Sequence, residues 1–106
     1  MATALLFALT SHPAPPATGA ASFAEVSGVI EHRCRPCHSA RPSDTTFPAP
    51  PLGVTFDSPE QIARMAPRIG VRAVEQRSMP FMNKTQMTDD ERALLARWLA
   101  AGGKID

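Results

Sequence analysis

Tyrosine is absent from this chain of 106 residues, and five phenylalanines and one tryptophan are all its aromatics. So thin an aromatic complement leaves room in a small core for a bound group. Cysteine is scarce as well. Two cysteines allow one bridge at most, which excludes a disulfide framework. An excess of either charge is also lacking: 11 Lys and Arg against 10 Asp and Glu leave a formal net charge of +1. That excludes the basic footprint of a nucleic-acid binder. No run of like charges offers a membrane-surface segment. No strand-like alternation and no internal repeat stand out, so the domain reads as all-α with long loops.

Long apolar runs are missing too. "ATALLFAL" near the N-terminus falls far short of the roughly 20 residues of a membrane helix. Residues 1–22 carry no Lys, Arg, Asp or Glu, and the first basic residue is Arg33. A signal peptide wants a basic start before its apolar stretch. The missing basic start favours the tail of a transmembrane segment over a poor signal sequence. "SHPAPPATGAAS" reads as a semi-extended linker. Residues 1–22 are therefore expected to form an apolar stub and linker that attach the chain to a membrane. Residues 23–106 are expected to form one small domain, marginal without help.

What is present is organised around helix signals. Ser22 and Glu25 have capping-box spacing, and Val26, Ile30 and Cys34 follow on one face. This predicts a helix over 23–33 that delivers the cysteines at its C-terminal end. Residues 39–56 form a Pro-rich loop long enough to wrap around a ligand. Ser58 is a plausible cap, Pro59 suits the first helical position and Gln61 completes a box-like spacing, and Pro67 should break that stretch before a short helix over 67–76. The last helix is the clearest. Thr88 and Glu91 form a second box, Ala93, Leu94, Leu95, Trp98 and Leu99 supply an apolar face, and Gly102 and Gly103 end it.

The chemistry lies in Cys34-Arg35-Pro36-Cys37-His38, the spacing of c-type haem attachment. Two thiols one short turn apart can reach the two vinyl groups on one haem edge and form thioethers. The adjacent His38 then sits under the ring, where its imidazole can bind iron. A structural zinc site wants four Cys or His ligands. Only His12 in the linker and nearby His32 remain, so a zinc-binding interaction module is short of donors. A thioredoxin-like dithiol wants a βαβ context, and none is visible.

A sixth iron ligand can come from methionine. Met65 reads as core packing and Met87 as an apolar residue folded back on the Thr88 cap. Met82 reads as gap-filling near the haem edge. Met79 precedes Pro80, which pushes its backbone toward extended form in a stiff loop. Met79 is therefore placed first, ahead of Met82 and Met87. His/Met ligation blocks both faces of the iron and raises its potential, which suits single-electron transfer. A haem sensor with an open sixth site is the alternative. Arg33, Arg35 and Arg41 flank the motif and suit either a mildly acidic partner face or plain solvation. Arg35 or Arg41 could also meet a haem propionate. Thioether attachment of this kind is made outside the bacterial cytoplasm, which implies the periplasmic side of the inner membrane.

Residues 22–103 together resemble class I cytochrome c. The apolar face before the haem motif, "MP" at Met79-Pro80 and "TDDERALLARWLAAG" come in that family's order. The resemblance implies a fold of three to four helices around covalent haem c. It also implies first and last helices that cross, Val26 and Ile30 meeting Leu95 and Trp98. The loops from "SARPSD" to "FDSPEQI" resemble more narrowly the C-terminal cytochrome c domain of bacterial membrane-bound urate hydroxylases. That likeness implies electrons arriving from a fused membrane oxidase domain. The chain by itself would then be no enzyme. A stand-alone periplasmic cytochrome c serving another redox partner is the competing expectation.

Overall fold

Ser22 opens the first helix of the computed structural model, which describes residues 21–106. Its side chain accepts from Glu25 N at 3.1 Å, and Glu25 Oε1 accepts from Ser22 N at 3.0 Å. Both free donors are thus satisfied, as the box spacing predicts. Helix α1 spans Phe23–Arg33 and buries Val26, Val29 and Ile30. It ends where Cys34 N and Arg35 N both donate to Ile30 O.

Helix α2, Pro59–Arg64, starts at Ser58, whose hydroxyl accepts from Gln61 N. Gln61 does not complete the box. Its Oε1 instead accepts from Asp57 N at 2.7 Å and Thr55 Oγ at 3.0 Å, which fixes the chain entering the helix. The break falls at Met65 (φ −94°, ψ 3°), two residues before the expected Pro67. Proline fits the first turn of a helix, where its missing N–H costs nothing. Pro67 therefore lies inside the first turn of α3, Ala66–Ile69, rather than before it. A π-helical segment, Gly70–Glu75, continues to Gln76. Gly70 admits the last helix: a Cβ there would lie 3.2 Å from Leu99 Cδ1.

Helix α4, Asp89–Ala100, begins with the Thr88–Glu91 box and three acidic residues in its first turn. Those charges complement the positive helix end. Gly103 closes it at φ 63°, with its N–H on Trp98 O at 2.9 Å. Trp98 Nε1 donates to Lys104 O at 2.8 Å, so the buried indole keeps its hydrogen bond.

Helices α1 and α4 pack against each other. Val26, Ile30, Leu95 and Trp98 are the largest fully buried side chains. Each contributes roughly 1.5–3 kcal/mol or more by leaving water. Phe23 and Trp98 meet at 6.2 Å between ring centroids. The chain is helical, with no strand among the described residues, in line with the all-α expectation. No helix among them is long and apolar enough to cross a membrane. The expectations for residues 1–20, His12 included, lie outside the described residues.

Candidate functional site

The end of α1 turns back on itself through the cysteine motif. Cys37 N and His38 N both donate to Cys34 O, at 3.2 and 2.9 Å. This tight turn brings Cys34, Cys37 and His38 onto one cleft of about 260 Å³, and Met79 lines the same cleft from the loop that follows residue 76. The remaining wall is overwhelmingly apolar, with Phe47, Val54, Phe56, Ile69 and Phe81 among its members.

His38 is held from behind. Its Nδ1 lies 3.0 Å from Val54 O, and a carbonyl only accepts, so Nδ1 carries the proton. Nε2 is then the free, basic nitrogen, the state a metal ligand needs. The Phe56 ring stands edge-on to the imidazole at 5.5 Å, and Phe56 N donates to His38 O at 2.8 Å. Val54 and Phe56 come from the Pro-rich loop. That loop does line the cleft, and Leu52 stands on its rim almost fully exposed.

Both cysteines are free thiols. Burial, with Cys37 adding to it, pushes the Cys34 thiol up to about 12. Burial and the nearby Asp44 raise Cys37 as well. Redox dithiols have lowered values that expose a thiolate at neutral pH. Here both sulfurs stay protonated, which is opposite to a thioredoxin-like pair. Among the described residues no three His, Cys, Asp or Glu side chains gather as a metal-ion site.

The three loop methionines part company. Met79 lines the cleft, Met82 is 79 % exposed, and Met87 is 4 % exposed in the core. Met65 packs on the core and also reaches the cleft wall. Met79 has its backbone fixed on both sides. Its N–H donates to Arg72 O at 3.1 Å, and its carbonyl accepts from Arg92 Nη1 at 2.8 Å.

Arginine placement differs from the expectation. Arg35 pairs with Glu31 and Asp57, and neither it nor Arg41 lines the cleft. Arg33, Arg68 and Arg72 do. Asp57 was not foreseen: it holds Arg35 with Oδ1 and accepts from Ala40 N with Oδ2 at 2.9 Å, pinning both sides of the motif. Nothing in its local sequence marks it, because both partners lie about twenty residues upstream. Lys84 was also missed. It pairs with Asp44 at 3.0 Å and lies 5.8 Å from the Phe47 ring, joining the two loops that flank the cleft. Arg92 had a visible signal. It lies three residues before Leu95 on the buried face of α4, a place where a charge needs an internal partner.

No family model, curated protein or solved structure matches this chain.

Proposed function

We propose that this chain holds one haem c covalently and serves single-electron transfer. The observation that carries the reading is the convergence of Cys34, Cys37, His38 and Met79 on one apolar cleft. The donor set fits the group: two neutral thiols for thioethers, an imidazole with its Nε2 free, and a soft thioether on the same cleft. When bound, haem supplies a one-electron iron couple whose potential a methionine ligand raises. The chain's own residues do the remaining work. Val54 O fixes the tautomer and direction of His38. Met79 lines the same cleft and would supply a thioether as the second protein ligand to the iron. Phe47, Phe56 and Ile69 line the cleft and would keep water from a group held there.

On this reading residues 23–106 form a class I cytochrome c domain on the periplasmic side of a bacterial inner membrane. The domain catalyses nothing alone and relays electrons to or from a protein partner. The likeness of its loops to the cytochrome domain of membrane-bound urate hydroxylases supports a fused urate-oxidising domain as donor. The reading frame upstream of the gene tests that finer point: several hydrophobic spans in frame are expected.

The main test is expression with a cytochrome maturation system. Haem that stays on the chain through denaturation is expected. So are sharp α and β bands on reduction and a methionine–iron charge-transfer band on oxidation. Zinc in place of haem would overturn the reading. Carbon monoxide binding by the untouched reduced protein would move it to an open-site sensor.

A further inference from the structure

Arg92 is the one charged residue in the buried class among the described residues, at 8 % exposed. Burying a guanidinium is costly unless its donors are satisfied. Every acceptor it has found is neutral. Nη1 donates to Ala73 O at 2.6 Å and to Met79 O at 2.8 Å, and Nη2 approaches Asn83 Oδ1 at 3.4 Å. Ala73 and Met79 both line the cleft, one from the π-helical segment and one from the loop after it.

The Met79 loop is tied at several points: Ser78 N and Met79 N both donate to Arg72 O, Arg77 pairs with Asp89, and Thr85 exchanges hydrogen bonds with Arg33. Arg77, Met82, Asn83 and Gln86 all adopt positive φ without being glycine. Such residues persist only where the surroundings hold them. Asn83 supplies part of that hold, because its amide pairs with both Met87 N and Met87 O. Arg92 adds a tie from the core helix α4 to Met79 itself, joining its carbonyl to that of Ala73.

We propose that Arg92 is a positioning residue. By tying Met79 O to Ala73 O, it sets the depth at which the Met79 side chain enters the cleft. The proposal rests on the haem reading above, with Met79 as axial ligand.

Arg92→Lys in the haem-loaded protein tests it. Lysine keeps the charge, but its compact ammonium cannot present the planar fork that spans both carbonyls. A weaker methionine–iron band and a lower reduction potential are expected. The reduced variant should bind carbon monoxide where the wild type does not, as hydrogen bonds to a charged donor are lost. Haem content and helical circular dichroism should match wild type. An unchanged band and potential in loaded Arg92→Lys, with no carbon monoxide binding, overturns the positioning role. Should that variant fail to fold, Asn83→Gly reads the same hold, since glycine keeps the positive φ and removes the third acceptor. A partly weakened band supports the proposal, and an unchanged one overturns it. Failure of the underlying reading is separately visible, because wild type itself would then lack attached haem or the methionine band.

Discussion

Arg33 and Glu91 form a two-pronged ion pair, Nε to Oε1 at 3.0 Å and Nη2 to Oε2 at 3.3 Å. It joins the last residue of α1, one position before Cys34, to the first turn of α4. Glu91 Oε1 also accepts from Thr88 N at 2.9 Å, so one carboxylate both caps a helix and ties two helices together.

That double use gives Glu91 a pH signature. Burial opposes its charge, but the Thr88 N–H and the Arg33 guanidinium outweigh it and hold the carboxyl below its ordinary 4.5. A lowered folded value means stabilisation that is complete above the unfolded value and lost as pH falls through the folded one. Glu91→Gln should cost about 1–2 kcal/mol at neutral pH, from the weakened cap and ion pair. The cost should shrink on acidification below 4.5. Denaturant melts of both proteins at neutral and acid pH measure this, and an equal gap at both would refute it.

The methionines should separate by two readouts. Met79→Ala should abolish the charge-transfer band of oxidised holoprotein. Met87→Ala should keep the band and cost about 2–4 kcal/mol, because it empties a core position that is 4 % exposed. Met82→Ala should change neither by more than about 0.5 kcal/mol in stability. Retention of the band in Met79→Ala would remove that residue as ligand.

Two glycines should respond with opposite sign. Gly103 sits at φ 63°, and a Cβ there would lie 3.3 Å from Ala66 Cβ. Gly103→Ala should destabilise by about 1–2 kcal/mol from both causes. Gly28 lies inside α1 with nothing within 4 Å of a new Cβ. Gly28→Ala should stabilise by about 0.5–1 kcal/mol through helix propensity alone. Thermal melts of the two variants side by side decide it.

On the haem reading, preventing attachment should unmake the domain. Cys34→Ser with Cys37→Ser leaves a wide apolar cleft beside a core of small and aliphatic residues, in a chain with little area to spare. Circular dichroism should show most of the helix lost. Proteolysis should cut residues 39–56 and 78–87 at least tenfold faster, as about 1.4 kcal/mol of local stability or more disappears. A double variant as helical and resistant as the haem-loaded chain would show that the fold stands without its group.

The local elements were legible because their signals are short-range. Ser22 with Glu25 and Thr88 with Glu91 are each three residues apart, and a cap needs nothing more distant. The apolar spacing of Val26, Ile30, Leu95 and Trp98 likewise marked the buried faces of α1 and α4. The motif from Cys34 to His38 is local as well, since one turn sets all three side chains. Gln61 was misread for the opposite reason. Its partner was decided by where Thr55 and Asp57 enter the helix, not by the spacing to Ser58.

By itself, then, the sequence determined the first and last helices, their caps, the core face they share and the cysteine–histidine turn, all fixed by interactions within a few residues. Tertiary structure alone decided that Met65, read as core packing, also reaches the cleft that Met79 lines. It also decided that Val54 orients His38, that Asp57 and not the cleft takes Arg35, and that Arg92 holds Met79. Each of those contacts joins residues about 13 to 22 positions apart. Only chain packing sets such distances, because the backbone between them passes through loops whose course no local preference specifies.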